Sequence, residues 1–487
     1  MSAYLVLAVL IGYFGLLYII SLFTSRKSNL NTFFNANRRS PWYLVAYGMI
    51  GASLSGVTFI SVPGWVKDNH FFYFQMVLGY LLGYFFIAYV LLPIYYKLDS
   101  VSIYSYLQKR FGVYSYKTGS AFFLISRLIG ASFRLYLIVM VLQMFFFDKW
   151  NIPFALSIVI TILLIWVYTH KAGIKTIVWT DTLQTTFMLL AVVISIIIIA
   201  KNLNLSVSQL FSVIKNHPYS QVFNFDWHNA NFFPKSFLSG AFIALVMTGL
   251  DQDMMQKNLT VRTLRESRKN MIWFSFTLIP INLLFLSLGV LLYYYAAQKG
   301  IPLPDETDKV FPKLAIDYFG GAAAIVFLVG VIAAAFSSAD SALTALTTAF
   351  CLDFLNINPD REDRYAIKMK NIVHIAVSIF VLVIILIFRQ VNDRSVIAQI
   401  FQVAGYTYGP LLALFSFGLL NKRKIRDKWT PFIALFGIFI SYIFKKEIEM
   451  HTSYKFGFEF LILNGAITYI LLYLSSLGLS TVKKYKV

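Results

Sequence analysis

Long apolar runs follow one another along nearly the whole chain, and that feature alone leaves few folds open. A helix crossing the hydrocarbon core of a bilayer needs about 20 apolar residues. In lipid, every backbone N–H and C=O must be satisfied within the segment that carries it. Thirteen runs fit, at about 3–23, 42–66, 71–96, 118–147, 153–170, 176–200, 236–256, 271–298, 319–350, 371–389, 396–420, 431–446 and 456–479. Only 13% of the residues are charged, roughly half of what a soluble domain carries. The expectation is an all-α polytopic membrane protein of about 13 transmembrane helices, forming one domain in the lipid bilayer. Several runs exceed the bilayer thickness, which predicts tilted or broken helices.

The net charge of +20 would suggest nucleic acid in a soluble chain. Here the basic residues sit in short loops between runs, so they report topology, and no nucleic-acid partner is expected. With the N-terminus outside, about twice as many Lys and Arg fall in inside segments as in outside ones. Inside clusters then include Arg26, Lys27, Arg38 and Arg39, then Lys257, Arg262, Arg265, Arg268 and Lys269, and finally Lys483, Lys484 and Lys486. That orientation puts the C-terminus in the cytoplasm and requires an odd number of spans. The first run lacks a basic flank and reads as a retained helix, not a cleaved signal. The outer segment 202–235 carries an amphipathic stretch at 207–214, expected to be a short helix over the outer face. The single cysteine, Cys351, rules out an internal disulfide and reads as a buried small residue. The six histidines show no metal-ligand spacing. No nucleotide-binding loop appears, so neither a cofactor nor an enzymatic activity is expected.

Four charged residues lie in the runs away from their ends: Arg127, Arg134, Asp181 and Asp340. Such residues are costly in a bilayer and face a cavity or a partner. On a helix, Ala334, Ser337, Ser338 and Ser341 share one stripe, and Ser337, Asp340, Ser341 and Thr344 share the next. Hard cations take oxygen ligands, so two oxygen-rich stripes with an aspartate read as an ion site, against the alternative of small residues for close packing. Asp181 is either a helix-capping residue or a second carboxylate facing that stripe. Residues 48–64 combine repeated small residues, hydroxyls and a Pro-Gly pair, and read as an unwound helix whose freed carbonyls bind a cation. Arg134 cannot lose its proton and suits a carboxylate. It grips a substrate anion, pairs with a protein carboxylate, or snorkels to the outer interface. Arg127, nearer the inner end, reads as structural.

These motifs resemble the sodium/solute symporter family, in order and over nearly the whole chain. The matching segments are Gly51–Gly64, Ser102–Gly112, Trp179–Gln184, Asp251-Gln252 with Gln256, Ala334-x-x-Ser337-Ser338-x-x-Ser341, and Tyr406-x-Tyr-Gly-Pro410. The resemblance implies a LeuT-like fold. Its parts are a leading helix and loop (1–41), inverted five-helix repeats at 42–200 and 236–420, and two C-terminal helices (421–487). It also implies a sodium site on the carbonyls of Gly51, Leu54 and Ala334 and the hydroxyls of Ser337 and Ser338. A second cation site found in some members maps to Asp181, Ser337, Asp340 and Ser341. Asp340 replaces the family's Ser or Thr there, which leaves two-sodium, proton or mixed coupling open.

The stretch Leu54–Phe59 and the pair Phe133-Arg134 look most like the bacterial sialic-acid symporters. That resemblance implies substrate contacts from Ser53, Ser55, Thr58 and Arg134, with Gln75 as a further match. Met247 stands where sugar-carrying members have a gating tyrosine, and Gln402 where glucose symporters contact the sugar. The expected function is sodium-coupled symport of a small organic solute, a carboxylate such as sialic acid first, across a bacterial inner membrane. A neutral sugar, another monocarboxylate and a transporter-like solute sensor are the alternatives. An intramembrane aspartyl protease is disfavoured, because its Gly-Asp signature is missing around Asp181 and Asp340.

Overall fold

The structure, a computed structural model, describes residues 3–25, 29–169, 173–358, 364–391 and 396–481. Among them the regular structure is all helical, with two isolated bridges, Ser40–Val261 and Arg423–Thr481, and no strand. The basic residues Arg26, Lys27, Lys483, Lys484 and Lys486 lie outside the described residues. In chain order the main helices are α1 (Ala3–Thr24), α2 (Trp42–Ser53), α3 (Gly56–Asn69), α4 (Phe72–Leu98), α5 (Val113–Phe145), α6 (Phe154–Thr169), α7 (Ile174–Asn202) and α8 (Phe233–Gly249). They continue with α9 (Gln252–Leu259), α10 (Leu264–Lys299), α11 (Gly321–Ala349), α12 (Arg364–Val391), α13 (Val396–Thr407), α14 (Gly409–Leu420), α15 (Thr430–His451) and α16 (Phe460–Ser475). Among the described residues seven helices are long and apolar enough to cross a membrane, and up to ten spans result when each bent pair counts as one. The protein is thus an integral membrane protein. Each apolar run read from the sequence falls on one of these helices or bent pairs.

The three bent pairs break where the sequence weakens the backbone ladder. α2 and α3 meet at 51° across Leu54 and Ser55, in the stretch of small residues. α8 ends in a π-turn, Leu245–Gly249, and meets α9 at 64°. Asp251 starts α9 by accepting the N–H groups of Asp253 and Met254, the usual work of an N-terminal Asp cap. α13 and α14 meet at 46°, and α14 opens on Gly409-Pro410, where proline needs no partner for a missing N–H.

Each break frees backbone groups that helices normally satisfy. At the second break the Tyr95 and Tyr104 hydroxyls donate to the carbonyls of Gly249 (2.7 Å) and Leu250 (2.9 Å). At the third, the Asn464 amide donates to the carbonyls of Gly405 and Tyr406, both at 2.9 Å.

α7 packs on both α2 and α11, and small residues allow that approach. Gly48 faces Asp181 and Gly51 faces Thr185 so closely that neither has room for a Cβ. On the other side, Gly330 of α11 lies equally close to Ala191 of α7. The broken α2–α3 pair, α7 and α11 therefore form one tight unit around the polar residues. The amphipathic stretch is the helix Val207–Asn216, closed at its start by a capping box of Ser206 and Gln209.

Candidate ion and substrate site

A cavity opens at the first break. Ser53, Leu54, Ser55 and Thr58 line it from the α2–α3 junction, with Arg127 and Arg134 from α5. Tyr73, Tyr80, Tyr84, Met247, Thr248, Asn282 and Phe401 complete much of the wall. Arg134 is only 8% exposed. Among the described residues no carboxylate lies within 4.0 Å of its guanidinium nitrogens. Arg127, two turns away on the same face of α5, is different. It forms a close ion pair with Asp253 and lies 4.0 Å from Asp251, both wholly buried. Asp251 also accepts the Tyr408 hydroxyl. Arg127 thus ties α5 to the second and third breaks while one edge meets the cavity.

Two expected substrate contacts are not in the wall. Gln75 is buried, but its amide is spent on the segment before α8: it donates to the Asn231 carbonyl (3.1 Å) and accepts the Asn224 N–H (3.4 Å). Gln402 is exposed. On α13 the cavity face is Ile397, Ile400 and Phe401, and one further residue turns about 100° around the helix.

Beside the first break, α7 packs against both α2 and the oxygen-rich stripe of α11. The Ser337 hydroxyl donates to Asp181 at 2.6 Å, and the Gly51 N–H donates to the Thr185 hydroxyl at 3.1 Å. Asp181 and Thr185 are successive turns of one helix face, so Gly51 and Ser337 converge there. Among the described residues no side chain donates to the carbonyls of Gly51, Ala52, Ser53 or Leu54, unlike the other two breaks. With Ala334, Ser337 and Ser338 also buried, this donor set has the neutral oxygens that suit a sodium ion.

The second cation position differs. Asp181 gives its other oxygen to the ammonium of Lys257, 2.6 Å away, and both residues are only 1% exposed. Ser341 is turned to a close hydrogen bond with Asp253, and the Ser341 N–H bonds Asp340 at 2.5 Å. The four residues expected to share one cation are therefore divided among partners within the chain. Lys257 itself corrects the charge reading. It is a buried partner in α9, not an exposed basic residue of an inner loop, because the break at Asp251 carries α9 back into the bundle.

A profile of the sodium:solute symporter family matches residues 33–427. The chain belongs to that family. Over 461 residues it is 23% identical to the sodium/sialic acid symporter NanT of Aliivibrio fischeri, covering 92% of this chain and 88% of the relative. Over 450 residues it is 25% identical to the sodium/sialic acid symporter SiaT of Proteus mirabilis, covering 90% and 88%. In fold, the symporter superposes on a Na+-coupled sialic acid symporter in a substrate-bound outward-open state, with a TM-score of 0.82 at 22% identity over 98% of each chain. A nucleobase-cation-symport-1 family transporter in a closed conformation gives 0.55 at 13% identity, over 92% and 94%. The symporter therefore has the LeuT-like fold.

Sequence reasoning missed Asp253, Lys257, Tyr80, Tyr84 and Asn282. The signal for the first two was Gly249 followed by Asp251, a helix stop and a new N-cap in a run read as continuous. Asn282 lies two residues after Pro280 inside α10, a polar residue beside a helix perturbation. The tyrosines carried no signal beyond their apolar surroundings.

Proposed function

We propose that this symporter imports a sugar acid of the sialic acid type with sodium. The observation that carries the substrate reading is Arg134, a buried guanidinium that faces the cavity with no carboxylate beside it among the described residues. An unpaired buried charge is costly, and a substrate carboxylate bound through two parallel N–H···O bonds relieves that cost. A neutral sugar leaves Arg134 unpaired, which counts against that alternative. Ser53, Ser55, Thr58 and Thr248 offer hydroxyls to a polyol. Asn282 offers its carbonyl oxygen, which has no partner among the described residues, while its amide donates to the Leu278 carbonyl at 2.7 Å. The two relatives named for sialic acid support the same reading.

Sodium is held by the carbonyls of Gly51, Leu54 and Ala334 and the hydroxyls of Ser337 and Ser338. An ion there joins the first break to α11, and so stabilises the arrangement in which the cavity is shaped for substrate. Segments 42–200 and 236–420 act as the two inverted repeats, and rocking of one against the other moves substrate and sodium across. The N-terminus is outside and the C-terminus cytoplasmic, in a bacterial inner membrane. The chain moves its solute unchanged, as a transporter without enzymatic chemistry.

Proteoliposomes loaded with potassium buffer test this. Labelled N-acetylneuraminic acid should accumulate when sodium is outside and should not when potassium or choline replaces it. Equal uptake in all three media refutes the coupling. Labelled glucose accumulating with sodium while labelled sialic acid does not refutes the substrate.

A further inference from the structure

The second cation position has a cation already, supplied by the chain. Lys257 projects from α9, the inner half of the second broken helix, and its ammonium lies 2.6 Å from Asp181 of α7. The other Asp181 oxygen is taken by Ser337 of α11 at 2.6 Å. Lys257 is among the largest fully buried side chains in the protein. An ammonium offers three donors and no lone pair, so it occupies the place of an ion and cannot help to ligate one. A sodium ion on Asp181 would lie within a few ångströms of a fixed positive charge, among buried groups where charges are weakly screened. Ser341, the remaining hydroxyl of that position, is bonded to Asp253, which Arg127 neutralises.

From this arrangement we propose that Lys257 serves as a tethered cation at the second site, so that one sodium ion, not two, accompanies each substrate. The proposal rests on the sodium-coupled reading above and deepens it. It gives Asp181 a positioning role. With its charge balanced by Lys257, Asp181 accepts the Ser337 hydroxyl proton and turns that oxygen's lone pairs towards the first sodium site. It also sets the electrical character of transport. One monovalent cation moving with a monocarboxylate anion carries no net charge, whereas two carry one positive charge per cycle.

The test counts sodium bound to the purified full-length protein, by 22Na+ scintillation proximity. In parallel, substrate uptake is measured with and without an inside-negative potassium diffusion potential. The wild type should bind one sodium per chain with a Hill coefficient near 1, and its uptake should ignore the potential. K257M, which empties the position without adding bulk, should bind a second ion on Asp181 and show uptake stimulated by the potential. Two ions in the wild type, or potential-driven wild-type uptake, overturn the inference whether or not the variant folds. A folded K257M that still binds one ion also overturns it. A wild type that binds no sodium at all sinks the transport reading itself, and the count with it.

Discussion

Two arginines on one face of α5 should respond in opposite ways to the same substitution. Arg134 lines the cavity without a protein carboxylate within ion-pair distance among the described residues, while Arg127 neutralises buried Asp253. Methionine keeps the length and apolar stem of either residue and removes the charge. In R134M the substrate carboxylate loses two charge-assisted hydrogen bonds, each worth about 1.5–3 kcal/mol. Some of that is offset because the buried arginine no longer needs a partner. A net loss of about 4 kcal/mol corresponds to roughly a thousandfold weaker binding. The same change removes an unpaired buried charge from the substrate-free protein, so its melting temperature should hold or rise. In R127M, Asp253 is left buried and unpaired, a loss of about 3–5 kcal/mol of stability. That protein should melt earlier in every ligand state. The assay is a pair of thermal melts in detergent, with and without sodium and sialic acid, beside uptake half-saturation in proteoliposomes. A less than threefold shift in half-saturation for R134M refutes the anion assignment. A fall in melting temperature as large as that of R127M shows that Arg134 is structural.

Other substitutions probe the frame around the site. N464A leaves the carbonyls of Gly405 and Tyr406 without their donor, at about 1–3 kcal/mol each, and a denaturation curve should show a loss of that order. Q402A should leave sialic acid uptake unchanged. Q75A should loosen the segment 221–232, seen as faster proteolysis there, with little change in substrate half-saturation. Asp308, between α10 and α11, is buried, and burial raises its pKa above the ordinary carboxylate range even though it accepts the Val396 N–H at 3.0 Å. A carboxyl with a raised folded pKa contributes its stability in acid and loses it as pH climbs through that raised value. D308N removes the titration, so it should melt higher than wild type at neutral pH. The two should converge as pH falls to the ordinary carboxylate value, and a difference constant across that window contradicts the sign.

What the sequence makes legible depends on how local the signal is. The first break could be read from Gly48 to Gly64, because small residues and hydroxyls weaken a helix wherever they cluster. The α11 stripe was legible because helical spacing alone puts Ser337, Ser338 and Ser341 together. Lys257 was not, because the apolar run 236–256 ends just before it and a following lysine looks like a loop charge. Only the turn at Asp251 brings α9 back among buried groups, and the residue that meets Lys257 there is 76 positions away in sequence. Gln402 failed for a different reason. Its neighbour Phe401 does reach the cavity, but alignment to one residue on a helix decides the face, and no local pattern fixes that register.

The three breaks show how one chain can be rigid in two places and open in a third. Freed carbonyls in a bilayer must find donors, and a protein can supply them permanently or leave them for a ligand. At the second break Tyr95 and Tyr104 supply them, and at the third Asn464 does. Those carbonyls have donors from the chain itself, and the two junctions are cross-linked through Asp251, which accepts from Tyr408. At the first break no side chain among the described residues takes that role, although Tyr84 and Thr248 line the same cavity. If those carbonyls were left open by accident of packing, a donor placed near them should stabilise the protein and leave transport intact. If they are the sodium site, the same donor competes with the ion. A334S places a hydroxyl on the Ser337 stripe with the addition of a single heavy atom. The coupling reading requires that it raise the sodium concentration needed for half-maximal uptake more than it changes the affinity for sialic acid at saturating sodium.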